Sequence, residues 1–132
     1  MEIKKFHFDD DLEMVIHIPQ QKDEVILAIS DELDISTDNL TEEYKQKINL
    51  MLSQLDQILL VANQRLNKEF SETNNFRLLQ IILLSEYTDP EFIVGLMFRV
   101  EQDVEHGRGM KISINSMEII EYGLADVAFS LL

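Results

Sequence analysis

The sequence predicts an α+β fold, a largely antiparallel sheet in the order βββ-α-ββββ with one long amphipathic helix packed on one face. Three observations carry this expectation. Apolar residues alternate at spacing two through the first thirty positions, recur at three and four between about residues 40 and 69, and alternate again after residue 90.

The first third reads as three short strands, about 3–8, 13–18 and 24–30. Phe6 and Phe8, then Met14, Ile16 and Ile18, then Val25, Leu27 and Ile29 form the alternating series. They are separated by Asp9-Asp10-Asp11 and by Pro19-Gln20-Gln21-Lys22-Asp23, polar clusters that end pairing and favour turns. An antiparallel meander follows. Val15, His17, Ile26 and Ala28 fall on the other face, apolar enough to predict that part of that face is covered too.

A helix is expected over about 40–69. Tyr44, Ile48, Met51, Leu52, Leu55, Ile58, Leu59, Ala62 and Leu66 lie on one stripe at helical spacing. Asn39 with Glu42 three residues on suggests a cap, and Glu42 and Glu43 suit the positive end of the helix dipole, as Lys68 suits the other. Such a helix would be about 45 Å long, enough to fray or bend.

Residues 71–75 read as a loop. FRLLQIILLSEY cannot be assigned by periodicity alone, but the turn signals Asn74-Asn75 and Asp89-Pro90 around it favour a strand over about 76–87. The next strand, about 91–102, is unambiguous: Phe92, Val94, Leu96, Phe98 and Val100 share one face. Met110, Ile112 and Ile114 alternate with Lys111 and Ser113 in a strand at about 108–114, and Ile119 and Ile120 mark the last, about 117–122. Gly107 and Gly109 are placed at the turn between two of these strands.

The length, 132 residues with 45% hydrophobic, suits a single domain spanning 1–132. There is no cysteine, which excludes disulfides, thiolate metal clusters and a Cys nucleophile. The opening MEIKKFHFDDDLEM has no apolar core of a secretory leader, and no uncharged apolar run is long enough to span a bilayer, so a soluble cytoplasmic protein is expected. The net charge of -14 opposes binding to nucleic acid or anionic membranes and favours a basic partner. Residues 1–43 hold 13 of the 25 acidic residues but only 3 of the 11 basic ones.

No phosphate-binding glycine loop and no nucleophile elbow is present. His7 and His17 could share a sheet face and bind zinc with a third ligand from Asp9 to Asp11. Neutral imidazoles bonded to backbone are the commoner outcome. Glu101, Asp103 and Glu105 alternate beside His106, a cluster that could serve a small metal-dependent enzyme or regulator. Acids at that spacing more often form a solvated face. Glu105-His106-Gly107 could set a general base beside its orienting carboxylate, but a hairpin corner needs less: Gly107 permits the turn, His106 bonds across it and Glu105 pairs with Arg108. The corner is the reading adopted, with no catalytic, metal or cofactor site assigned.

The C-terminal string carries a resemblance. Asp103, Glu105, His106, Gly107 and Gly109, then Ile119, Ile120, Glu121, Gly123, Asp126, Val127, Ala128 and Phe129, form a pattern similar to that of small bacterial α+β domains of unknown function, several of them immunity proteins of polymorphic-toxin and contact-dependent-inhibition systems. The pattern covers about 27 residues. The resemblance implies Glu105, His106, Gly107, Gly109, Gly123 and Asp126 as a structural hairpin motif, and implies a non-enzymatic protein that neutralises a cognate toxin by binding it. Arg108 departs from the small or apolar residue expected between the glycines. Together with the charge, this predicts a tight complex with a basic toxin domain, such as a nuclease. Asp9, Asp10, Asp11, Asp23, Glu24, Asp31, Glu32 and Asp34 are the candidate contacts. An acidic housekeeping module is the other binding reading, and exposed edge strands leave monomer and homodimer both open.

Overall fold

The computed structural model describes residues 1–36, 40–71 and 76–130. It is an α+β arrangement with one six-stranded sheet, formed by β1 (Glu13–Ile16), β2 (Val25–Ile29), β3 (Arg77–Leu83), β4 (Ile93–Arg99), β5 (Arg108–Ser113) and β6 (Glu118–Gly123). The strands lie side by side in chain order. Every neighbouring pair is antiparallel except β2 and β3, which run parallel because the helical segment carries the chain back to the starting end of the sheet.

The expected strand at 3–8 does not form. Phe6 and Phe8 instead stack on each other, 6.1 Å apart, and pack against the core from irregular chain, while Ile3 is tied to the helix by a reciprocal pair of hydrogen bonds with Asn49. The alternation was apolar enough for a strand, but these residues are held by the helix rather than by a neighbouring strand.

The single long helix is two, α1 (Glu42–Ser53) and α2 (Leu55–Phe70), joined at Gln54. Ser53 supplies a local cause: its hydroxyl donates to the Leu50 carbonyl at 2.6 Å and competes with the helix ladder. The Gln54 N–H turns back to Met51 and Leu52. The apolar stripe survives the break, with Tyr44, Ile48, Met51, Leu52, Leu55, Ile58, Ala62 and Leu66 all buried. Asn39 lies outside the described residues. The N-cap is Thr41, whose Oγ1 accepts the Tyr44 N–H at 3.1 Å.

The helices cover one face of the sheet, where Val25, Leu27, Ile29, Leu78, Ile81, Leu83, Val94, Leu96, Phe98, Met110 and Ile112 are buried in one cluster. The other face is covered in part. A single 3₁₀ turn, Ala125–Ala128, lies across β4 and β5, and Ala128 joins Ala28, Ile82 and Leu84 in a second, smaller cluster. Two glycines allow this approach. A Cβ on Gly95 would sit 2.0 Å from the Ala128 carbonyl oxygen, and one on Gly109 would sit 2.6 Å from that of Ala125. Gly109 therefore serves close packing from within β5. Gly107, with φ of 63°, makes the turn before it.

Lys111 is also relocated by this turn. It lies on the face opposite Met110 and Ile112 and is only 1% exposed, with Nζ donating to Glu121 at 2.7 Å and to Ser130 at 3.1 Å. Among the described residues, no helix is long and apolar enough to cross a membrane.

Candidate functional site

The open part of the second sheet face, beside β1, β2 and β3, holds an acidic groove. It is built from two turns. Before β1, the Asp9 carboxylate accepts the backbone N–H groups of Asp11 and Glu13 at 2.9 and 3.0 Å, closing a turn in which Leu12 takes φ of 59°. Asp9 thus forms the turn, leaving Asp10 and Asp11 to face outward. After β2, the Ser30 N–H donates to Leu83 and the Ser30 hydroxyl accepts the Glu32 N–H at 3.3 Å, which holds Asp31 and Glu32 at the strand end.

Because β1 and β2 are antiparallel, the start of one and the end of the other meet. Asp10, Asp11, Glu13, Asp31 and Glu32 line a cavity of about 430 Å³ over Ala28, Gln80 and Ile82, with Phe129 as a wall. None of these five carboxylates has an ion pair among the described residues. Phe129 is 43% exposed, and Val15 and Ile26, paired across β1 and β2, are 51% and 37% exposed on the same face. Beyond the Ser30–Leu33 turn a second hollow, about 550 Å³, is lined by Leu33, Leu84, Pro90 and Ile93 together with Asp89 and Glu91.

The eight acidic candidates are therefore divided. Asp10, Asp11, Asp31 and Glu32 converge; Asp9 is structural; Asp34 is exposed in the chain beyond β2. Asp23 and Glu24 stand at the opposite end of the hairpin, 3.9 Å from Arg77 and 4.0 Å from His17. Glu13 and Gln80 are groove residues that sequence reasoning did not single out, and Phe129 entered it only as the end of the C-terminal pattern. Glu13 and Gln80 lie in strands, where only the register shows which face they take, and Phe129 is placed by the glycine-dependent turn.

The Glu105-His106-Gly107 corner is arranged differently from the expectation. β4 ends at Arg99, and Glu101–Asp103 is a 3₁₀ turn, so Glu101, Asp103 and Glu105 do not alternate along a strand. Asp103, rather than Glu105, contacts the histidine: His106 Nδ1 donates to Asp103 Oδ1 at 2.9 Å. Arg108 does not pair with Glu105 either. Its Nη1 donates to Asp103 Oδ2 at 2.7 Å and to the Gly107 carbonyl, while Nε and Nη2 fork onto the Glu69 carboxylate at the end of α2. Tyr122 donates to the same carboxylate at 2.5 Å, and the Arg65 guanidinium stacks on the Tyr122 ring at 3.7 Å. The fork from Arg108 holds both carboxyls below the usual range, Asp103 at about 2 with help from His106, and Glu69 with help from Tyr122. Burial, followed by the Glu69 carboxylate, raises the Tyr122 hydroxyl.

This network ties the hairpin to α2, so the departure at Arg108 is a clamp between elements. His7 and His17 are both exposed, and among the described residues no group of three or more His, Cys, Asp or Glu side chains is placed to hold a metal ion. Gly123 lies at the end of β6, directly opposite Gly109, and Asp126 is the second residue of the 3₁₀ turn, where its carbonyl accepts the Phe129 N–H. No family model, no curated protein and no solved structure matches the chain.

Proposed function

We propose that the protein is a non-enzymatic binding protein of the cytoplasm that neutralises a basic protein partner by forming a tight complex, as an immunity protein does with its toxin. The observation that carries this reading is the acidic groove, where five carboxylates without counter-charges surround a floor of Ala28, Gln80 and Ile82. Carboxylates held together in this way repel one another until a cation enters, so a basic partner gains both steering and contact energy. The exposed Val15, Ile26 and Phe129 beside them give the surface the mixture of apolar centre and charged rim found at protein interfaces. A nuclease domain, basic because it binds phosphates, has the complementary charge.

The test begins with co-purification of the chain from its native host and reconstitution of the purified pair. Asp31→Lys with Glu32→Lys should slow association most at low salt and release the partner's toxic activity. Unchanged on-rates and undiminished neutralisation would refute the groove as the binding surface. A complex with an acidic partner would refute the reading as a whole.

A further inference from the structure

Gln80 sits on the floor of the groove, 7% exposed, and its carboxamide has no hydrogen-bond partner among the described residues. Its amide atoms are not sealed in the core, where an unpaired polar group would destabilise the fold; they open into the groove. Nothing in the packing calls for an amide here. The neighbours on this face, Ile26, Ala28 and Ile82, are apolar, and leucine has a similar volume. A polar group kept in such a place and opening onto a cavity points to a ligand that bonds it.

The surroundings define that ligand. It must be cationic, to meet Asp10, Asp11, Asp31 and Glu32, and must bring a donor to Gln80 Oε1. It must also have a flat, weakly hydrated face to lie against Phe129, and an aliphatic stem to cross Ala28 and Ile82. A guanidinium has five donors in a planar fork, stacks on aromatic rings and buries its stem readily. An ammonium is a compact, strongly hydrated charge that gains less from an apolar floor. We infer that the groove is an arginine receptor, taking one arginine side chain of the protein partner with Gln80 as its buried acceptor. This rests on the protein-binding reading given above.

The test uses the full chain and three blocked tripeptides, acetyl-Gly-Arg-Gly-amide and its lysine and citrulline counterparts, followed by methyl and side-chain amide NMR. The arginine peptide should shift Ala28, Ile82 and the Gln80 carboxamide saturably, with the lysine peptide weaker and the neutral citrulline peptide silent. Gln80→Leu, which keeps the fold, and Asp31→Asn with Glu32→Gln should each weaken the arginine peptide by about tenfold, the loss of a charge-assisted hydrogen bond. Asp23→Asn with Glu24→Gln should leave it unchanged. Equal response to citrulline, shifts spread over both ends of the hairpin, or full affinity in Gln80→Leu would overturn the inference. Since the peptides probe the groove without the natural partner, that failure is separate from a failure of the reconstituted complex to form.

Discussion

Replacing Gly95 by alanine adds a single methyl group, and the structure predicts a disproportionate response. The new Cβ would lie 2.0 Å from the Ala128 carbonyl oxygen and 2.8 Å from its carbonyl carbon. Ordinary carbon–oxygen contacts are no closer than about 3.3 Å, so the backbone of the 3₁₀ turn must retreat by more than about 1 Å. The obstacle is main chain rather than the end of a flexible side chain, and no rotamer change relieves it. Overpacking of this kind costs about 1–3 kcal/mol, against about 0.4–1 kcal/mol gained by restricting the unfolded chain. The net loss expected is about 1–2 kcal/mol, which in a domain of this size lowers the melting temperature by about 4–8 °C. Urea and thermal unfolding measure the loss. Hydrogen exchange locates it, since the Val127 and Phe129 amides, bonded to Leu124 and Asp126, should lose protection before the sheet does. Gly123→Ala is the control, because its Cβ would meet only a Val127 methyl, at 2.9 Å. A Gly95→Ala protein as stable as the parent, with those amides still protected, would refute the account of how the second face is covered.

The Arg108 clamp should show in the acid limb of stability. Asp103 and Glu69 are depressed in the fold, so their contribution is complete above the ordinary carboxylate range and is lost as pH falls below it, that of Asp103 through about 2; Arg108→Met should lower the urea midpoint at pH 7 and flatten its decline below pH 4. Lys111→Met should fall within about 1 kcal/mol of the parent or be more stable, because Glu121 is half exposed and solvates without its partner. Glu121→Gln should cost more, since it leaves a buried ammonium facing a neutral group, and the reverse order in chemical denaturation would contradict the placement of Lys111. Ile58→Asp puts a carboxylate at a fully buried position between helix and sheet, and its circular dichroism melt should show the domain unfolded or severely weakened.

The helix stripe and the core faces of β4 and β5 were legible because each repeats at the period of its own element, and those residues are buried except Leu59, which is half-buried. The stretch FRLLQIILLSEY was legible as a strand from its flanking turns but not in its faces, and the cause is a bulge. Leu78 pairs with Phe98 but Gln80 pairs with Met97, so an extra residue, Leu79, shifts the alternation and moves Gln80 off the face of Leu78. A simple period-two reading would put Leu78 and Gln80 together, hiding the polar side chain on the groove floor. The local acidity of Asp10, Asp11, Asp31 and Glu32 could be read directly, whereas their convergence depends on the β1–β2 register. Lys111 and Phe129 were illegible for a longer-range reason. Both are governed by a turn whose docking needs glycines in two other strands, Gly95 and Gly109, an agreement between distant positions that no window of sequence contains.

The strictly sequential order of the strands has a consequence for how the chain finds its shape. Eight, nine, eight and four residues link the antiparallel neighbours, but 47 separate Ile29 from Arg77 across the parallel pair. By the logarithmic growth of loop-closure entropy, joining β2 to β3 costs about 1.5 kcal/mol more than closing an eight-residue hairpin. The sheet is thus two local blocks, the hairpin β1–β2 and the meander β3–β6, and their seam is the late, slow contact of folding. The groove straddles that seam, with Asp31 on one block and Gln80 on the other. Its floor is complete only when the two blocks have joined, so any partner that fills it selects the fully assembled chain over every earlier state.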